Sequence, residues 1–75
     1  MKYKVKVGER LYEMGLEELN KLLSVASEQI PFGIYAVQKG EYIELCRERC
    51  NSITQLKKSK RAYKSSGFKV YANEG

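Results

Sequence analysis

Histidine, aspartate and tryptophan are absent from this 75-residue chain, proline occurs once and cysteine twice. Without His or Asp, general acid-base and nucleophilic chemistry lose their usual groups. The serines stand in capping or loop contexts, with no G-x-S-x-G turn to expose a nucleophile. The expected class is therefore a binding protein and not an enzyme. Cys46 and Cys50 are too few to staple a secreted mini-protein, which would carry four or more, so a reducing, cytoplasmic compartment is expected. With no His, no Asp and no third Cys, a zinc site lacks its ligands, and neither a metal nor a cofactor is expected. The CxxxC spacing also lacks a nearby His or helix N-terminus to lower a thiol pKa.

Long apolar runs are missing too. The longest, Ile34 to Val37, is far too short to span a bilayer, and the opening MKYKVKVGER alternates where a secretory signal would be continuous. No membrane association is expected. The glycines form no phosphate-cradling loop.

What is present suits one small folded domain over residues 1–75. Six Tyr and two Phe accompany 31% charged residues, a globular composition, although a chain of this length buries only about 60% of its unfolded surface. Net charge is +5, unevenly distributed. Residues 1–50 hold eight basic residues and eight Glu, whereas residues 51–75 hold Lys57, Lys58, Lys60, Arg61, Lys64 and Lys69 against Glu74 alone. The whole excess lies in the last third.

Alternation places Tyr3, Val5 and Val7 on one side of a first strand and Lys2, Lys4 and Lys6 on the other. Gly8-Glu9 fits a type II′ turn that pairs Val7 with Arg10, Val5 with Tyr12 and Tyr3 with Met14. Leu16, Leu19, Leu22, Leu23 and Ala26 then form the apolar stripe of a helix over about residues 16–27, with Glu17 and Glu18 in its first turn. Pro31 closes it. Residues 34–46 suit a second hairpin turning at Lys39-Gly40, which pairs Ile34 with Leu45 and Ala36 with Ile43. A rival helix over 43–56 uses Ile43, Cys46, Cys50, Ile53 and Leu56. The capping box Ser52-x-x-Gln55 favours a later start, so a second helix is expected from about Ile53 to Lys64, with Ile53, Leu56, Ser59 and Tyr63 inward. A last strand, Phe68 to Ala72, completes the chain.

The order β-β-α-β-β-α-β implies an α+β fold, one antiparallel or mixed sheet with both helices on one face. The open face would carry Lys2, Lys4, Lys6, Leu11, Glu13, Tyr35, Val37, Tyr42, Glu44, Lys69 and Tyr71. On the second helix, Lys57, Lys60, Arg61 and Lys64 fall within about a third of a turn of one another. Like charges four apart there repel, and phosphates would relieve the repulsion. Nucleic acid is thus the expected partner, met by the basic helix with Lys58, Lys69 and the Lys2, Lys4, Lys6 face; Lys and Tyr on an open sheet follow the logic of base-stacking platforms. The chain lacks the Gly-flanked aromatic motif of an RNA recognition motif. The alternative is a protein partner with an acidic surface, in the manner of small phage or mobile-element proteins that bind host components, or a homodimer. Tyr35, Val37, Tyr42 and Tyr71 would then centre the interface.

Overall fold

The computed structural model describes residues 2–74. Five strands form one mixed sheet: β1 (Tyr3–Val7), β2 (Arg10–Met14), β3 (Phe32–Lys39), β4 (Tyr42–Arg49) and β5 (Lys69–Glu74), in spatial order β2-β1-β4-β3-β5. Helix α1 (Leu16–Gln29) joins β2 to β3, and α2 (Ile53–Ser65) joins β4 to β5. The order β-β-α-β-β-α-β is the expected one. Residues 42–49 are strand, which excludes the rival helix. No helix among the described residues is long and apolar enough to cross a membrane.

The first hairpin has the register that alternation dictates, with Val7 opposite Arg10, Val5 opposite Tyr12 and Tyr3 opposite Met14. Gly8 sits at φ +64, and Glu9 has no positive φ, the pattern of a II′ turn. The second hairpin departs from expectation by two residues: Ala36 faces Leu45, Val37 faces Glu44 and Lys39 faces Tyr42. Its turn is Gly40-Glu41, with Gly40 at φ +60. The same Gly-Glu dipeptide thus makes both turns, because Gly is needed at the first central position and Lys39 is not suited to it.

The larger correction concerns the helices, which lie on opposite faces of the sheet. Neighbouring residues of one strand point to opposite faces, and here they divide between two cores. Ala36, Ile43 and Leu45 pack with Val5, Leu19, Leu22 and Leu23 under α1, whereas Val37, Cys46 and Ile34 pack with Cys50, Leu56 and Tyr63 under α2. The chirality of crossovers gives the reason. β2 to β3 and β4 to β5 both step the same way along the sheet, but β2 and β4 run antiparallel, so two right-handed connections must pass over opposite faces. A hidden cue was the near-continuous apolar run Ile34, Tyr35, Ala36, Val37, typical of a strand covered on both sides.

Both helices begin as their sequences dictate. α1 has Gly15 as N-cap and Glu17 and Glu18 against its positive dipole end. Its C-terminal carbonyls are met from afar: Asn73 Nδ2 on β5 donates to Ser27 O at 2.9 Å and to Ile30 O at 3.0 Å. In α2 the Ser52 hydroxyl accepts from Gln55 N at 3.2 Å. The Gln55 side chain accepts from Asn51 N at 2.8 Å, one residue before the usual capping-box partner. Leu56 is fully buried, whereas Ile53, expected inward, is exposed.

Gly33 is where the sheet is tightest. It pairs with Arg49 on one side and Asn73 on the other, its φ is +144°, and a Cβ there would run into the Glu48 carbonyl oxygen. Strained backbone and backbone collision act together. Gly33→Ala is expected to lower unfolding free energy by about 2 to 4 kcal/mol, measured as the shift in urea midpoint at unchanged slope. A midpoint equal to the parent's would refute this account of the strand.

Candidate nucleic-acid interface

α2 packs its Leu56 and Tyr63 side on β3 and β5 and turns the remainder outward. It contains no acidic residue, and Lys64 complements the negative end of its dipole. Lys57, Lys60, Arg61 and Lys64 line a common shallow trough with Ser65. Along the axis, Lys57 to Lys64 spans about 10 Å at 1.5 Å per residue. Glu74 reaches into this cluster: Lys60 Nζ lies 3.0 Å from its carboxylate, the one ion pair any of the four makes among the described residues. Lys58 is exposed beside the trough without lining it.

The lysines of β1 stand on the α2 side of the sheet. Lys4 is level with Tyr42 and Lys6 with Glu44 on the parallel neighbour β4, on the face opposite Val5 and Ile43. Helix α2 covers β3 and β5, which leaves Lys4, Lys6, Leu11 and Tyr42 on an uncovered half-face beside it. Lys6 is drawn toward Glu44 at 3.5 Å, and Lys39 binds the same carboxylate at 3.1 Å while its ammonium sits 5.5 Å from the Phe68 ring centre. The Lys39 hydrogen bond, with Lys39 and Lys6 as neighbouring charges, outweighs desolvation and holds the Glu44 carboxyl below its usual range. Lys39 is raised by the same hydrogen bond. Neither Lys39 nor the Glu44 clamp was legible as part of this surface, because the hairpin register that joins them was shifted.

Other expected site residues are dispersed. Lys69 lies on the α1 side, 5.4 Å from the Tyr71 ring centre, and Tyr71 packs against Tyr35 at 6.3 Å between centroids. Val37 is buried under α2, and Tyr42 is half-buried on that side. Tyr35, Val37, Tyr42 and Tyr71 therefore do not share a surface, and no single Lys/Tyr platform exists. The cause is the two-sided covering of the sheet.

No protein-family model matches the chain, and neither a curated protein nor a solved structure resembles it significantly.

The polar groups beneath α2 are chemically quiet. Burial, with Glu48 and Glu44 nearby, pushes the Cys46 thiol up to about 11, and burial first, then Glu48, also raises Cys50. Thiols so shifted are poor nucleophiles. Cys46 donates to Ile34 O at 3.6 Å. Glu48 accepts from the Tyr63 hydroxyl at 3.4 Å through Oε1, while Oε2 is buried without a partner. No cluster of three His, Cys, Asp or Glu among the described residues could hold a metal ion. Both cysteines are free, and four extended residues place their Cα atoms about 13 Å apart, too far for a disulfide.

Two outcomes follow. At pH 8 both cysteines should resist alkylation in the folded protein and react fully in denaturant; rapid native labelling of Cys46 would contradict its burial. Because Glu44 has a lowered folded pKa, its contribution to stability is present above the unfolded carboxylate range and lost as pH falls through the folded value. In a carboxyl-carbon NMR titration Glu44 should ionise below the ordinary glutamate range and return to it in Lys39→Met. An ordinary titration in the parent protein would dismiss the clamp.

Proposed function

We propose that this protein binds nucleic acid without chemistry, through the outer face of α2. The supporting observation is the trough lined by Lys57, Lys60, Arg61 and Lys64, with one carboxylate within reach of any of them. Like charges at 57 and 61 and at 60 and 64 cost a few tenths of a kcal/mol each on an isolated helix. Phosphates spaced along a strand replace that repulsion by attraction and release counterions. The uncovered half-face beside α2 extends the positive surface through Lys4, with Lys2 preceding it and Lys6 partly engaged by Glu44. Tyr42 stands level with Lys4 and is the aromatic group available for stacking there. Lys69, Tyr35 and Tyr71 lie across the sheet and take no part. Lys58 adds charge at the border of the trough.

No base-reading arrangement supports sequence specificity, so the reading is of backbone recognition. Its signature is salt dependence. Fluorescence anisotropy with mixed-sequence DNA and RNA should give a slope of log affinity against log salt of about −3 to −4, since each neutralised phosphate contributes about 0.9. Combining Lys57→Ala, Arg61→Ala and Lys64→Ala should reduce the slope to about −1 and weaken binding uniformly across sequences. Undetectable binding at low salt, or binding indifferent to the triple variant, would overturn the proposal.

A further inference from the structure

The two edges of the sheet are treated differently. β5 is packed by α2, carries Lys69, is tied by the Lys60–Glu74 pair and gives Asn73 to the end of α1. β2 is less protected. Arg10 to Glu13 are all exposed, and the strand holds no Pro, no Lys and no bulge; of the devices that discourage pairing it keeps only the charges of Arg10 and Glu13. A two-residue hairpin loop makes Val7 and Arg10 a hydrogen-bonded pair, and every second pair follows. Leu11 and Glu13 therefore aim their N–H and C=O groups away from β1.

Exposed apolar side chains collect at the same end. Val7, Leu11, Tyr12, Leu16 and Val25 belong to β1, β2 and α1, and among the described residues Ile53 is the one large exposed apolar side chain outside them. Leu16 sits apart near Tyr3. Val7, Leu22 and Val25 line a hollow between α1 and the hairpin, and Met14 joins Leu22 and Val25 in the adjoining one. Tyr12, 44% exposed, shares the face of Met14, while Leu11, 57% exposed, occupies the other face.

We propose that a second copy of this chain pairs antiparallel along β2, with Tyr12 on the two-fold axis. In a sheet continued by a two-fold operation, opposed residues must lie on the same face, so a residue pairs with one an even number of positions away. With Tyr12 facing Tyr12 of the second copy, Leu11 exchanges hydrogen bonds with Glu13 of the second copy and Glu13 with its Leu11. All four outward-pointing groups of each edge are thereby used. On one face the two tyrosines meet between the α1 helices, close to Met14 and Val25. On the other, Leu11 lies opposite the aliphatic stem of Glu13 of the second copy.

Charge selects this occupant. β1, β2 and α1 hold Lys4, Lys6, Arg10 and Lys21 against Glu13, Glu17, Glu18 and Glu28, and Lys2 just ahead of β1 balances Glu9 in the turn, a net of zero. Two such ends approach without net repulsion, whereas the α2 ends, which hold the excess, repel and face away. A charged partner finds no net field to read at β2. One five-residue edge with its flanking hollows is a small interface, so the dimer should have a micromolar dissociation constant.

Sedimentation equilibrium without nucleic acid, over roughly 5 to 500 µM to bracket that range, should show mass rising from 8.6 kDa toward twice that value. Glu13→Pro removes an outward N–H, together with the carboxylate, and spares the β1 ladder, and Tyr12→Glu sets two carboxylates together on the axis. Both variants should remain single chains with unchanged circular dichroism. Hydrogen exchange on the unmodified protein reads the edge independently of variant stability: the amides of Leu11 and Glu13 should gain protection as concentration rises. A single-chain mass throughout, a dimer undiminished in both folded variants, or unprotected amides at 11 and 13 in the dimer would each overturn the proposal.

Discussion

The structure depends on β3 being covered from both sides. Ile34 and Val37 are buried under α2 and Ala36 under α1, so this eight-residue strand, with β4 and β5 on either side of it, joins two thin cores. A domain of this size cannot fill a deep single core, and dividing apolar residues over two faces is the available solution. The cost is local crowding. Gly33 has no room for a Cβ, and the ladder shifts register between Ile34 and Ala36 against both neighbours. That shift turns Tyr35 toward Tyr71 and the α1 core while Ile34 stays under α2.

Covering both faces also decides where charge can go. α2 spends Leu56 and Tyr63 on its core and keeps its cations outward, where Glu74 answers only Lys60. Glu44 collects Lys39 and Lys6, so the lysines on the uncovered half-face are not equivalent: Lys4 is free of such a pair among the described residues and Lys6 is not. The basic trough of α2 and the β2 edge therefore lie toward opposite sides of the sheet, with the β1 lysines between them.

Much of this was legible in the chain. The first hairpin followed from strict alternation and one Gly-Glu turn, α1 from its leucine stripe, and the start of α2 from Ser52 and Gln55, all signals carried within a few residues. The clustering of Lys57, Lys60, Arg61 and Lys64 was equally local, because helical spacing alone puts them together. The second hairpin failed at its turn. Ile34, Ala36, Ile43 and Leu45 allow apolar pairing in either register, and the choice fell to the positive φ that Gly40 supplies. The aromatic interface failed for a deeper reason, since it assumed one open face.

By itself, then, the sequence determined the element order, the helix starts and the electrostatic asymmetry, because each depends on contacts or spacings within a turn or two of chain. Only the tertiary structure decided which face each helix covers, and with it the separation of Tyr42 from Tyr35 and Tyr71. It also decided the clamp of Lys39 and Lys6 on Glu44 and the exposure of the β2 edge. Those outcomes depend on strand order and on the handedness of two crossovers, and no residue pattern along a strand encodes either. A strand with apolar residues on both sides records that it is buried, but not which helix will bury it.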